Sequence, residues 1–138
     1  MTDGIEMYRD MSLTVPPGMA GALRAALIEA AVAPWRFDAE RAEEIRRNAV
    51  SSEDVLLFRH DAIDQLPAAG LTLWGRGGGY YIPNIVPLEA RSLSYSEYNA
   101  ILVDFVDRVA RPVCDRLEIG IELSSASQSL EDWTTEDV

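Results

Sequence analysis

Two β-prone runs, Leu71-Thr72-Leu73-Trp74 and Tyr80-Tyr81-Ile82, are joined by five residues, Gly75-Arg76-Gly77-Gly78-Gly79. So short a glycine-rich link can only fold the chain back on itself, because a parallel neighbour needs a crossover of about a dozen residues or more. This spacing predicts an antiparallel hairpin and makes an antiparallel sheet the frame for everything else. Pro83 and Pro87 follow closely. A proline cannot donate to a strand ladder, so the second strand is expected to be an edge strand or to end early.

The other elements fit this frame. Ser12–Val15 reads as a short strand stopped by Pro16 and Pro17, Val55–His60 as a second, and Ile121–Leu123 as a closing one. Between Gly18 and Val32, residues Met19, Ala22, Leu23, Ala26, Leu27 and Ala30 fall on one helical face, and Pro34 ends the run. Asp38 is a good N-cap for a helix reaching about Asn48. That helix is polar nearly all round, with only Ala42 and Ile45 as a thin apolar stripe, so it belongs on the surface or under a partner. Ser94 and Glu97 have capping-box spacing at the head of the longest helix, whose apolar face is Tyr98, Ile101, Leu102, Phe105, Val106 and Val109. Pro112 should kink or restart that helix, and Gly120 should stop it. The resulting class is α+β: a mostly antiparallel sheet of four to five strands with helices packed on one face.

A chain of 138 residues is one domain long. Residues 1–123 read as a single α+β domain. Residues 124–138 read as an acidic tail or the start of a truncated C-terminal helix, because Ser129-Leu130-Glu131-Asp132 and Trp133 look like a helix beginning with little chain to follow. The 23 acids outnumber 12 bases and give a net charge of −11, which argues against direct nucleic-acid binding and against anionic membranes. All twelve bases are arginine, so Schiff-base chemistry and a Walker lysine are excluded. One cysteine, Cys114, allows neither an intramolecular disulfide nor a cysteine-rich zinc site, and fits a reducing compartment. The N-terminal segment MTDGIEMYRDMSLTV carries acids where a signal peptide needs bases, and no apolar run approaches the ~18 residues of a membrane span. A cytoplasmic location is the expectation.

Arg59-His60-Asp61 with Asp64 has the residue types of a metal or acid–base site, but no second histidine exists to complete a ligand set. The plain reading is a strand end whose polar groups face water. The glycine cluster leads into Tyr80-Tyr81-Ile82-Pro83 and not into a helix, so it is no phosphate loop. Cys114 reads as a buried structural thiol. Asp104, Asp107, Arg108 and Arg111 read as the solvated face of the long helix. Trp74, Tyr80 and Tyr81 beside the hairpin have the residue types of either a recognition surface or a core, the core being the plainer reading. The candidate binding residues are therefore Arg59, His60, Trp74, Arg76, Tyr80 and Tyr81, with no catalytic residue, metal or cofactor assigned.

The segments Tyr80-Tyr81-Ile82-Pro83-Asn84-Ile85-Val86-Pro87-Leu88, Ser94-Tyr95-Ser96-Glu97-Tyr98-Asn99 and Leu130-Glu131-Asp132-Trp133 resemble a stretch of uncharacterised bacterial proteins that continue past the last of these motifs. The resemblance covers about the last sixty residues and implies a bacterial source and further C-terminal sequence, but no site or activity. The leading expectation is a non-catalytic protein-binding module, accessory, immunity or antitoxin-like, that engages a basic protein through its acidic surface. One alternative is a small enzyme or ligand-binding domain with a pocket near His60 and Arg76. Another is a DNA mimic, which the scattered arginines disfavour. A homodimer by strand pairing is compatible with an edge strand, although Pro83 and Pro87 argue against a long edge.

Overall fold

A computed structural model of the chain describes residues 4–6, 9–48, 54–63, 66–76, 78–88, 92–123 and 127–129. In chain order the elements are β1 (Gly4–Glu6), β2 (Met11–Thr14), α1 (Ala20–Ala30), β3 (Trp35–Phe37), α2 (Ala39–Asn48), β4 (Asp54–His60), β5 (Ala69–Arg76) and β6 (Gly79–Pro87). Then come α3 (Tyr95–Phe105), a wide π turn over Val106–Ala110, α4 (Arg111–Leu117), β7 (Gly120–Leu123) and β8 (Ser127–Ser129). Six strands form one sheet in the order β3-β4-β5-β6-β2-β7, and β1 pairs separately with β8. Every pairing is antiparallel, so the fold is α+β, as the hairpin requires.

The period-2 pleat divides the sheet into two faces. Leu56, Phe58, Leu71, Leu73, Tyr80, Ile85, Met11 and Leu13 point inward and join Leu23, Leu27, Ile101, Leu102, Phe105 and Val109 from α1, α3 and the wide turn in one core. Phe105 meets Trp35 and Phe58 with ring centroids 5.1 Å away in each case. Burying each such side chain contributes about 1.5–3 kcal/mol, so this inner face dominates stability. Helix α2 lies elsewhere, against β4. Its buried Ala42 accompanies Val55 and Leu57, which are also buried but alternate with the inward residues. α2 therefore covers part of the opposite face, and the thin Ala42–Ile45 stripe is the side it presents there.

Local signals acted as expected at several ends. The Asp38 side chain accepts from the Arg41 amide, and the Ser94–Glu97 capping box is reciprocal. Pro112 restarts the helix: its missing N–H and its ring are accommodated by the wide turn before it, and it occupies the first turn of α4. The helix ends at Glu118, which adopts a left-handed conformation (φ 58°), two residues before the expected stop at Gly120. The hairpin is tight. Arg76 pairs with Gly79 across a two-residue tip, and Gly78 takes φ +81°. At Gly79 a Cβ would meet the Leu13 carbonyl at 2.8 Å, so β2 can lie there only against glycine.

Three expectations are corrected. The main sheet has six strands, because Trp35–Phe37 adds an edge strand too short, between Pro34 and Asp38, to show a period. β6 neither ends early nor lies wholly at an edge. Its first three residues pair with both β2 and β5, and it runs through Pro83 to Pro87. A bulge between Thr72 and Trp74 sets Ile82-Pro83 opposite Leu73, where a missing N–H costs no regular rung. Finally, Ser127–Ser129, expected in a tail, forms β8 against β1. The remainder of the expected helix start, from Leu130 onward, lies outside the described residues, as does Asp64.

Candidate functional site

Strand alternation separates the six candidate residues. Cross-strand partners share a face, so the register Val55↔Trp74, Leu57↔Thr72, Arg59↔Gly70, Trp74↔Tyr81, Gly70↔Val86 and Ser12↔Tyr81 puts Arg59, Trp74 and Tyr81 together on the outer face. His60 and Tyr80, one residue along, point inward. Arg76 closes β5 at the hairpin; its side chain lies outside the described ones.

The outer face is more apolar than a solvated antiparallel face requires. Across β4, β5 and β6 it bears Val55, Leu57, Thr72, Trp74, Tyr81 and Val86. Val86 and the adjacent Leu88 are each 46% exposed, among the most exposed large hydrophobics described. Between α2 and these residues lies a cavity of about 300 Å³, floored by Leu57, Gly70 and Thr72, walled by Ile45, Val86 and Leu88, and rimmed by Asp38, Arg41 and Arg59. Arg59 reaches Asp38 at 3.5 Å, and Arg41 pairs with Glu44 at 2.7 Å. The rim is thus charged around a largely apolar floor.

Tyr80 has a different role. Its hydroxyl donates to Asp54 at 2.5 Å, and Asp54 also pairs with Arg24 at 3.2 Å. The trio lines a cavity of about 330 Å³ between the start of α1 and the hairpin. His60 is 0% exposed, so the expected solvent-facing strand end is corrected: β3 supplies a further edge strand, and the pleat turns His60 under α3. Its ring lies 4.7 Å from that of Trp35, with Asp104 at 3.6 Å. Burial pushes the imidazole below its usual 6.5, although Asp104, the Pro67 carbonyl and Asp61 pull the other way. None of the three cavities described contains His60. Cys114 is buried and its thiol is pushed up to about 11 by that burial, which makes it a poor nucleophile.

Asp104 is what sequence reasoning missed. On the helix surface pattern it belongs to a solvated face, yet it accepts from the Trp35 indole N–H at 2.8 Å and from Arg108 Nε at 2.9 Å. A buried tryptophan needs an acceptor for its N–H, but nothing in the sequence says that a residue 69 positions away supplies it.

An open groove of about 710 Å³ runs beside the second half of β6. The Leu88 N–H donates toward β5, to the Ala68 carbonyl. Alternation then turns the amides of positions 83, 85 and 87 outward, and two of those positions are proline. An added strand would find one donor where it needs three.

Among the described residues no group of three histidine, cysteine or acidic side chains could hold a metal ion, and no helix is long and apolar enough to cross a membrane. In comparisons with protein-family models, curated proteins and solved structures, nothing matches the chain. The fold and its surfaces therefore define the class, a small α+β protein.

Proposed function

We propose that this chain is a non-catalytic protein-binding module, an accessory, immunity or antitoxin-like component of a bacterial cytoplasm. The observation that carries the reading is the outer sheet face, where Val86 and Leu88 are exposed and Trp74 and Tyr81 partly so, on a surface that α2 packs against chiefly along β4. Apolar surface of this kind beside a charged rim fits a partner's anchoring side chains. The net charge of −11 favours a basic partner and speeds its approach. Prolines at the open half of β6 favour docking on the face over strand pairing between two copies. Of the six candidates, Arg59, Trp74 and Tyr81 belong to this surface. Tyr80 and His60 support it from within the fold.

The test is affinity co-purification of the tagged full-length chain from cells that naturally express it. The reading expects one basic protein in stoichiometric amount, released by high salt. A chain that elutes alone under mild conditions contradicts it, and would turn attention to small ligands of the Arg59 pocket.

A further inference from the structure

We propose that His60, Asp104 and Trp35 form a proton-operated contact between the β3–β4 edge of the sheet and the long helix, a device independent of the binding surface above. The geometry is that of a donor shortage. His60 Nε2 lies 3.6 Å from Asp104 Oδ2, and the Pro67 carbonyl also faces the ring. Neither ring nitrogen completes a hydrogen bond among the described residues, and both are buried. A neutral imidazole has one N–H and one bare lone pair, so between two acceptors one nitrogen always faces an oxygen it cannot bond. A doubly protonated ring would satisfy both acceptors.

The neutral form is held by burial and by the nearby Arg108 charge. Asp104 Oδ2 already accepts from the Trp35 indole at 2.8 Å, and its other oxygen is taken by Arg108. The charged groups around the ring are Asp104 from α3, Arg108 from the wide turn and Asp61 just past β4; Trp35 approaches uncharged from β3. Asp104 is 21% exposed, so a proton from solvent can reach the cluster through its carboxylate. When His60 takes up that proton, the new N–H donates to Asp104 Oδ2, and the indole then shares that oxygen with a second, charged donor. The contact between sheet edge and helix therefore has two arrangements, selected by pH.

The experiment is an NMR titration of the full-length chain from mildly alkaline to mildly acidic pH. His60 is the single histidine, so its imidazole signals are unambiguous. The Trp35 indole N–H is the cross-peak missing from Trp35→Phe. The imidazole should titrate with a midpoint below 6.5, and the indole signal should move with the same midpoint. Arg108→Gln removes a like charge and frees Asp104, so it should raise the midpoint. Asp104→Asn removes the counter-charge, so it should lower the midpoint and uncouple the indole. Arg108 is half exposed, so its variant decides the matter even where Asp104→Asn fails to fold. A midpoint at or above 6.5, an indole that does not follow it, or a midpoint unmoved by Arg108→Gln overturns the proposal.

Discussion

The two faces of the one sheet are built from the same strands, one residue out of phase, and do opposite work. The inner face is closed: Leu56, Phe58, Leu71, Leu73 and Tyr80 vanish under α1 and α3, and polar groups that enter with them find partners distant in sequence, Tyr80 on Asp54 and Trp35 on Asp104, while His60 completes no hydrogen bond among the described residues. Among the described residues the outer face is exposed at Val86 and Leu88, where apolar side chains remain in water. Dipeptides such as Arg59-His60 and Tyr80-Tyr81 are divided between these faces. Neighbours in sequence thus become a structural residue and a surface residue, and a cluster read along the chain is not a cluster in space.

The sharpest break of this contrast is inside. Phe105→Ala should cost about 3–5 kcal/mol, because the aromatic contacts to Trp35 and Phe58 leave a cavity the packed sheet cannot close; chemical denaturation measures it, and a small loss would mean that the inner face is not the stability core. Asp104→Ala should cost about 1–3 kcal/mol by stranding the buried Trp35 indole, far more than its exposed neighbour Asp107→Ala. If the two variants unfold alike, Asp104 is only a surface acid.

The pH dependence comes next in size. The folded-state value of His60 lies below 6.5, so the unfolded chain binds the proton more readily. Stability from this group is therefore complete above pH 6.5 and falls as pH drops toward the folded value, then levels off. His60→Phe should abolish that slope in a series of denaturation curves; an unchanged slope would assign it to carboxylates. The smallest stability effect belongs outside. Val86→Arg with Leu88→Arg should change stability by no more than about 0.5 kcal/mol, because both positions are already half in water. A large loss would show that something described as surface is core.

How far the sequence reached follows the range of the interaction. The hairpin, the Asp38 cap, the Ser94–Glu97 box and the Pro112 restart rest on residues a few positions apart, and each was legible. Trp35–Phe37 was not, since three residues between a proline and a helix cap carry no period. The burial of His60 was hidden because it depends on that same unseen strand: Trp35 pairs with His60, and without β3 the end of β4 looks like an exposed edge. Pro83 misled for a related reason, since only the bulge set by Thr72 and Trp74 on the neighbouring strand lets β6 continue. At the candidate site, residue types pointed to Arg59, Trp74 and Tyr81. Val86, Leu88 and the α2 wall of the pocket emerge only once the sheet is assembled.

The claim that the outer face is the binding surface is tested most directly by comparing two exposed apolar positions on different sides of the molecule. Val86 and Leu88 lie on the outer face, while Val32 follows α1 and is 68% exposed. The partner captured by the unaltered chain should be lost from Val86→Arg/Leu88→Arg and retained by Val32→Arg, all three proteins unfolding at similar denaturant concentration. Retention of the partner by the outer-face variant, or its loss from Val32→Arg alone, would contradict the account and move the binding surface to the helical side.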